Sequence, residues 1–366
     1  MRRSVATALV AVLISYVGAP AAVKTGVIQT NLVSDLPGLS PQFLDPHLVN
    51  PWGITHSAGS PFWVSDNGAG VSTLYNTTGT PQTLIVNIPG CPPADPLGRD
   101  GKPTGVVFNI DGGASGGFKV TANGKTGVPP FLFATEDGTI VGWAPDVDAT
   151  HGIIAVPENC GKAAYKGLAI AQTGGGAFFL YAANFQTGMV DQFDTNFHVV
   201  KSFTGPNLEA GFSPFNVAVV AVNGVQKLFV AYAIRNPHTG DNVPGKGSGT
   251  VDVFDLDGNF LQRLAEGGHL KAPWGMAIAP ANFGTLAGTL WIGNFGDGHI
   301  NVFDPTSGAF IDQVRDSKTG KPIVIDGLWG LIVGNGGNGG DPGKLYFTAG
   351  PNEEQHGLFG SLTPSP

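Results

Sequence analysis

Apolar stretches of about four or five residues, bounded by glycine, proline, asparagine or aspartate, recur along almost the whole chain. Runs of that length with turn residues between them predict β-strands, and they leave little room for long helices. The first unit shows the order. An inner strand begins at Pro51-Trp52-Gly53-Ile54, a second runs Phe62-Trp63-Val64-Ser65, and the polar turn Asp66-Asn67-Gly68 follows. A third strand carries Gly70 and Tyr75, residues 76–79 turn the chain, and Thr83-Leu84-Ile85-Val86 closes the unit.

The unit repeats. A glycine followed five residues later by a bulky apolar residue occurs at Gly70/Tyr75, Gly138/Trp143, Gly188/Phe193, Gly249/Phe254, Gly298/Phe303 and Gly357/Leu362. Later inner strands begin at Thr104-Gly105-Val106, Lys166-Gly167-Leu168, Phe215-Asn216-Val217, Trp274-Gly275-Met276 and Trp329-Gly330-Leu331. A small residue suits that position, because inner strands crowd around one axis. Six repeats of four antiparallel strands predict an all-β, six-bladed β-propeller. The sixth repeat lacks its outer strand, and the alternating segment Val27-Ile28-Gln29-Thr30-Asn31-Leu32-Val33 at the other end of the chain can supply it. The expectation is a ring closed by pairing residues 28–33 with 357–362, which removes an open sheet edge.

This topology gathers the loops after the second strands and those entering each inner strand on one face. That face should carry Asp66, Asn67, Glu136, Asp137, Asn184, Gln186, Arg235, Asn294, Asp297, Asn352, Glu353 and Glu354, together with the insertions 89–102, 144–163, 234–248 and 318–326. Loops on a rigid scaffold are where ligands are usually met. A channel-mouth site drawn from Asp66, Asn67, Glu136, Asp137, Asn184, Asn294, Asp297 and Glu353 is therefore expected. Asp66, Glu136, Asn184 and Asn294, read as equivalent positions of four blades, form a candidate oxygen ring for a hard cation such as calcium. The alternative is a polar rim that binds nothing in particular.

Composition adds an address. Arg2 and Arg3, an apolar run over residues 5–17 and Ala19-Pro20-Ala21-Ala22 read as a signal peptide over residues 1–22, leaving 23–366 as one propeller domain. The apolar run is shorter than the ~20 residues that span a bilayer, so a secreted or periplasmic monomer is expected. A net charge of −8 with 13% charged residues argues against nucleic acid or an anionic membrane as partner. The two cysteines, Cys91 and Cys160, fall in consecutive connections on the loop-rich face and are expected to form a disulfide.

Other features read as ordinary structure. Gly113-Ala114-Ser115-Gly116-Gly117 spells a nucleophile elbow with no helix after it, and residues 334–339 spell a dinucleotide fingerprint likewise without its helix. Asp255-Leu256-Asp257-Gly258-Asn259 fits a turn between third and fourth strands. The eight histidines show no metal spacing, and His238, His299 and His356 lie where a general base would have to be. Trp52, Trp274 and Trp329 at inner-strand starts suit packing or, alternatively, a sugar-stacking platform.

Asn31-Leu32-Val33-Ser34-Asp35, Asn50-Pro51-Trp52-Gly53-Ile54, Trp63-Val64-Ser65-Asp66-Asn67 and Phe359-Gly360-Ser361-Leu362-Thr363-Pro364 resemble an uncharacterised family of exported bacterial propellers, some with a PEP-CTERM sorting tail. The repeat plan is more distantly similar to NHL-type and gluconolactonase-like propellers, whose oxygen ligands would fall on Glu136, Asn184, Asn294 and Asp66. That likeness implies a calcium-assisted hydrolase, lactonase or lyase. The residues themselves favour a binding or scaffold propeller that meets a small molecule, glycan or protein at its loop-rich face.

Overall fold

The computed structural model describes residues 26–91, 100–243 and 249–365; residues 1–22, expected to be a signal peptide, lie outside them. Six antiparallel sheets stand in a ring, and the inner strands are Pro51–Thr55, Pro103–Phe108, Tyr165–Gln172, Phe212–Val222, Pro273–Ile278 and Leu328–Val333. Each inner strand pairs with the second strand of its blade, and the third and outer strands follow. This is the six-bladed propeller that the repeat predicts.

Ring closure follows the expected pairing. Val27–Ser34 runs antiparallel to Leu358–Pro364, with Ile28 opposite Thr363 and Val33 opposite Phe359. The ends are pinned further in. The Ser34 hydroxyl donates to the Gly357 carbonyl, and Asp35 accepts from the Gly357 amide at 2.9 Å and meets the His356 ring at 2.7 Å. Two additions were not legible beforehand. Phe43–Leu44 adds a short parallel strand outside the closing strand, and Val120–Ala122 pairs with Lys125–Gly127 in a separate hairpin. The first blade's outer strand is also shorter than read, at Val86–Asn87.

The buried residues divide by geometry. Six apolar clusters each lie between neighbouring blades, such as Trp63, Val106 and Phe131 between blades 1 and 2, or Phe62, Tyr346 and Phe359 between blades 6 and 1. A seventh lies on the axis: Trp52, Phe185, Phe215, Ala233, Ala272, Trp274 and Trp329. Close approach of the inner strands makes this possible. A Cβ on Gly53 would collide with the Thr104 carbonyl, and one on Gly105 with the Leu168 amide.

Candidate functional site at the channel mouth

The register of the second strands decides which side chains reach the axis. In five blades the last residue of the strand, namely Asp66, Thr135, Asn184, Asn294 or Ala349, pairs with the first residue of the inner strand beside it; in blade 4 both strands run two residues further, and Tyr232, opposite Pro214, holds the equivalent place. The next residue along is Asn67, Glu136, Phe185, Ala233, Phe295 or Gly350. In five blades its amide donates to the carbonyl just before the inner strand, from Asn67 to Asn50 and Glu136 to Lys102, and likewise from Phe185, Phe295 and Gly350. Glu136 is therefore one residue out of step with Asp66, Asn184 and Asn294. On an extended chain one step reverses the side-chain direction.

That step separates the proposed oxygen ring, which has no common centre. Asp66 is fully buried and turned back along its own hairpin, where its Oδ2 accepts from the Thr73 amide at 3.0 Å and hydroxyl at 2.7 Å. Burial pushes its carboxyl well above the ordinary range, against those two bonds. Asn184 donates to Asp191 at 2.9 Å and accepts from the Ala164 and Thr187 amides. Asn294 donates to the His269 carbonyl and to Asp297. All three serve the turns that hold the hairpins. Among the described residues no group of three or more His, Cys, Asp or Glu is placed to hold a metal ion. The donor set does not fit calcium, and no step is derived through it.

Glu136 and Asn67 do reach the mouth. They line a cavity of about 780 Å³ with Asn50, Trp52, Asp137, Lys166, Arg235, Asp241 and Glu354 among its walls. Lys166 takes the inner-strand position that Trp52, Trp274 and Trp329 hold in other blades, and its side chain is only 4% exposed. It forms an ion pair with Glu136, approaches Asp241 at 3.3 Å and lies 5.0 Å above the Trp52 ring. Burial would raise the Glu136 carboxyl, but the Lys166 ammonium and the Asn67 amide at 2.9 Å hold it below its ordinary value. Burial likewise works against the Lys166 charge, and Glu136 outweighs it. The two keep each other ionised.

Glu354 is the opposite case. Its Oε2 accepts from Asn50 at 2.7 Å, and burial, with the Glu136 charge adding to it, raises its carboxyl above the ordinary value. It arrives there on a single left-handed turn: Asn352, Glu353 and Glu354 have φ of 57°, 54° and 66°, and the Glu354 amide reaches the Gly350 carbonyl at 3.2 Å. Each such non-glycine residue costs roughly 1–2 kcal/mol, and strain of this kind collects at functional sites. Asp137, raised by burial and then by Glu136, is fastened from behind. Its carbonyl accepts from the Gly161 amide and is in contact with the disulfide sulfur of Cys91, 3.4 Å away.

The remaining candidates disperse. Asp297 pairs with Lys271 and His299, each at 3.2 Å, in blade 5. Glu353 lines a neighbouring cavity of about 540 Å³ with Asp241, Asp326, Phe295 and Glu354. His356 belongs to the ring closure, and of the three candidate histidines His238 alone lines the larger cavity. Below the mouth the channel is plugged: Trp52 stacks on Trp329 with centroids 3.6 Å apart, Phe295 on Trp329 at 4.1 Å, and Trp274 meets both edge-on. All three tryptophans are buried, and the outer face of Trp52 lies under the Lys166 ammonium, so they pack as an axial core rather than as an exposed sugar-stacking platform. Cys91 and Cys160 are bonded, with Cα atoms 5.7 Å apart, as the loop placement predicts. Ser115 is tied to Asp111, and Asp255 accepts from the Asp257 and Asn259 amides as a turn residue should.

Lys166 and Asn50 were missed in the sequence. The signal for Lys166 was present, because it precedes the inner-strand glycine where three other repeats have tryptophan.

No family model matches the chain. It is similar to the uncharacterised protein L690 of Acanthamoeba polyphaga mimivirus, 32% identical over 327 residues that cover 87% of this chain and 81% of that protein. Protein R648 of the same virus is 30% identical over 331 residues, covering 87% and 76%. Among solved structures, a glucose dehydrogenase aligns with a TM-score of 0.53 and 13% identity over 87% of this chain and 98% of that one. Virginiamycin B lyase from Staphylococcus aureus aligns with a TM-score of 0.50 and 15% identity over 93% and 99%. At such identities the likeness shows the fold alone.

Proposed function

The chain belongs to the family of the uncharacterised mimivirus proteins L690 and R648, and we propose from its channel mouth that it is a binding propeller for a hydroxyl-rich small molecule of the saccharide class. One observation carries this reading: a buried Glu136–Lys166 ion pair at a cavity of about 780 Å³ whose walls alternate hydrogen-bond donors and acceptors. Hydroxyl groups both donate and accept. They match a wall where Glu136, Asp241 and Glu354 accept while Lys166, Arg235, Asn50 and Asn67 donate. The aromatic plug keeps the ligand at the mouth rather than letting it pass down the axis.

The proposal places the protein outside the cytoplasm. The Cys91–Cys160 bond supports that address, since disulfides persist in oxidising compartments. No helix among the described residues is long and apolar enough to cross a membrane.

The test is a glycan array followed by calorimetry on the strongest hit. Lys166→Met, checked for folding by circular dichroism, should weaken that hit at least about tenfold, equivalent to ~1.4 kcal/mol. An array without hits, or affinity unchanged in the variant, would sink the reading.

A further inference from the structure

We propose that the same mouth is a hydrolytic site that needs no metal, in which Glu354 protonates the glycosidic oxygen of a bound saccharide while Glu136 takes a proton from the attacking water. This rests on the saccharide reading above. The two carboxyls line one cavity and are joined by two carboxamides in series. Glu354 Oε2 lies 2.7 Å from Asn50 Nδ2, that nitrogen lies 3.4 Å from Asn67 Oδ1, and Asn67 Nδ2 lies 2.9 Å from Glu136 Oε2. The interposed amides hold the carboxyls out of direct contact. Cleavage with inversion requires such a gap, because a water must stand between the base and the anomeric carbon.

Their settings assign the roles. Glu136 is locked as an anion by Lys166 and Asn67, which suits the group that must receive a proton. Glu354 is buried in the same cavity as the Glu136 anion, and its side chain is bonded to a neutral amide rather than a cation; burial and the neighbouring charge favour the protonated acid over the weaker opposing pull of the Asn50 bond. The charged groups facing Glu354 are Glu136, Lys166 and Asp241; those facing Glu136 are Lys166, Lys102, Asp137 and Glu354 itself.

In the step, the bond between the anomeric carbon and the glycosidic oxygen breaks, and that oxygen leaves as an alcohol carrying the Glu354 proton. Water oxygen bonds to the anomeric carbon, and its proton passes to Glu136. Solvent then returns one proton to Glu354 and removes one from Glu136, so the sum is glycoside plus water giving two hydroxyl products. No oxidant or cofactor enters.

The experiment uses the purified chain in EDTA with a panel of 4-methylumbelliferyl and alkyl glycosides of neutral hexoses, pentoses and uronic acids. Turnover of at least one is expected, falling as pH rises through the ionisation of Glu354. Glu354→Gln should lower kcat on the alkyl glycoside at least about 100-fold with KM little changed. The loss should be much smaller with the better aryl leaving group, a difference that a structural role would not produce. Glu354→Gln must melt like the parent for this comparison, and the aryl substrate reports an intact site in the same sample. No turnover across the panel by a protein that still binds its array hit overturns the hydrolytic proposal and leaves the binding reading standing. Loss of array binding as well removes both.

Discussion

Two halves of the ring treat the same repeat positions differently. At the residue before the inner-strand glycine and at the residue one step past Asp66 and its equivalents in the other blades, blades 1–3 place Trp52, Thr104, Lys166, Asn67, Glu136 and Phe185. Blades 4–6 place Phe215, Trp274, Trp329, Ala233, Phe295 and Gly350, where blade 4 has Asn216 in the glycine's place. Every polar group of the set falls in the first half. The second half, joined by Trp52 and Phe185, packs into an apolar plug, whereas the first must satisfy each charge it brings to a buried axis. Lys166 in that place is tolerable because Glu136 lies beside it, and the pair is the part of the axis that the proposed ligand would meet.

The comparison breaks most severely on the aromatic side. Trp329 is fully buried, stacked on Trp52 and Phe295, and donates its indole N–H to Asn50 at 3.1 Å. Trp329→Ala should cost about 4–5 kcal/mol in urea unfolding and should disturb the polar half through Asn50. Lys166→Met alone leaves the Glu136 charge unpaired and should cost about 3–4 kcal/mol. The double variant Lys166→Met/Glu136→Leu should recover most of that loss, because a buried pair replaced by apolar groups is often neutral. Additive losses in the double variant would show that the two halves do not differ in this way.

A smaller effect is expected from the covalent link. Cys91 and Cys160 are 69 residues apart in sequence, and removing their bond should cost about 2–4 kcal/mol. Because Cys91 touches the Asp137 carbonyl, hydrogen exchange in the double serine variant should quicken at the 136–138 amides and leave the plug in blades 4–6 unchanged.

The smallest effect is on pH dependence, where two carboxyls of the mouth have opposite signs. Glu136 has its folded value lowered, so its contribution is present above the ordinary Glu range and is lost as pH falls through the lowered value. Glu354 has its folded value raised. Its contribution is complete below the ordinary value of 4.5 and is lost as pH rises through the raised one. Glu354→Gln should therefore flatten the decline in melting temperature just above pH 4.5, whereas Glu136→Gln should flatten the decline on the acid side. If both variants shift the profile in the same direction, the opposed settings are wrong.

Much of this molecule is legible in its sequence, and the misreading of the oxygen ring has one cause. Repeat spacing located all six inner strands, the closing N-terminal strand and the face that carries Asn67, Glu136, Asp137, Arg235 and Glu354. It failed over a single residue. The turn after the second strand of blade 2 reaches Gly138 two residues after Glu136, whereas in blade 1 Gly70 comes three after Asn67. Counting by composition thus put Glu136 with Asp66, Asn184 and Asn294, although backbone pairing sets it with Asn67 and Phe185. A slip of one on a strand exchanges inside for outside.

By itself, then, the sequence determined the number of blades, the closing strand and the disulfide, because short strands, glycine spacing and loop order are local or nearly local properties. Tertiary structure alone decided that Lys166 meets Glu136, that Asn50 and Asn67 bridge Glu136 to Glu354, and that three tryptophans pack together on the axis. Those contacts join residues 30 to about 300 positions apart, from Lys166–Glu136 to Asn50–Glu354. Only closing the ring around a shared axis brings such residues within hydrogen-bonding distance.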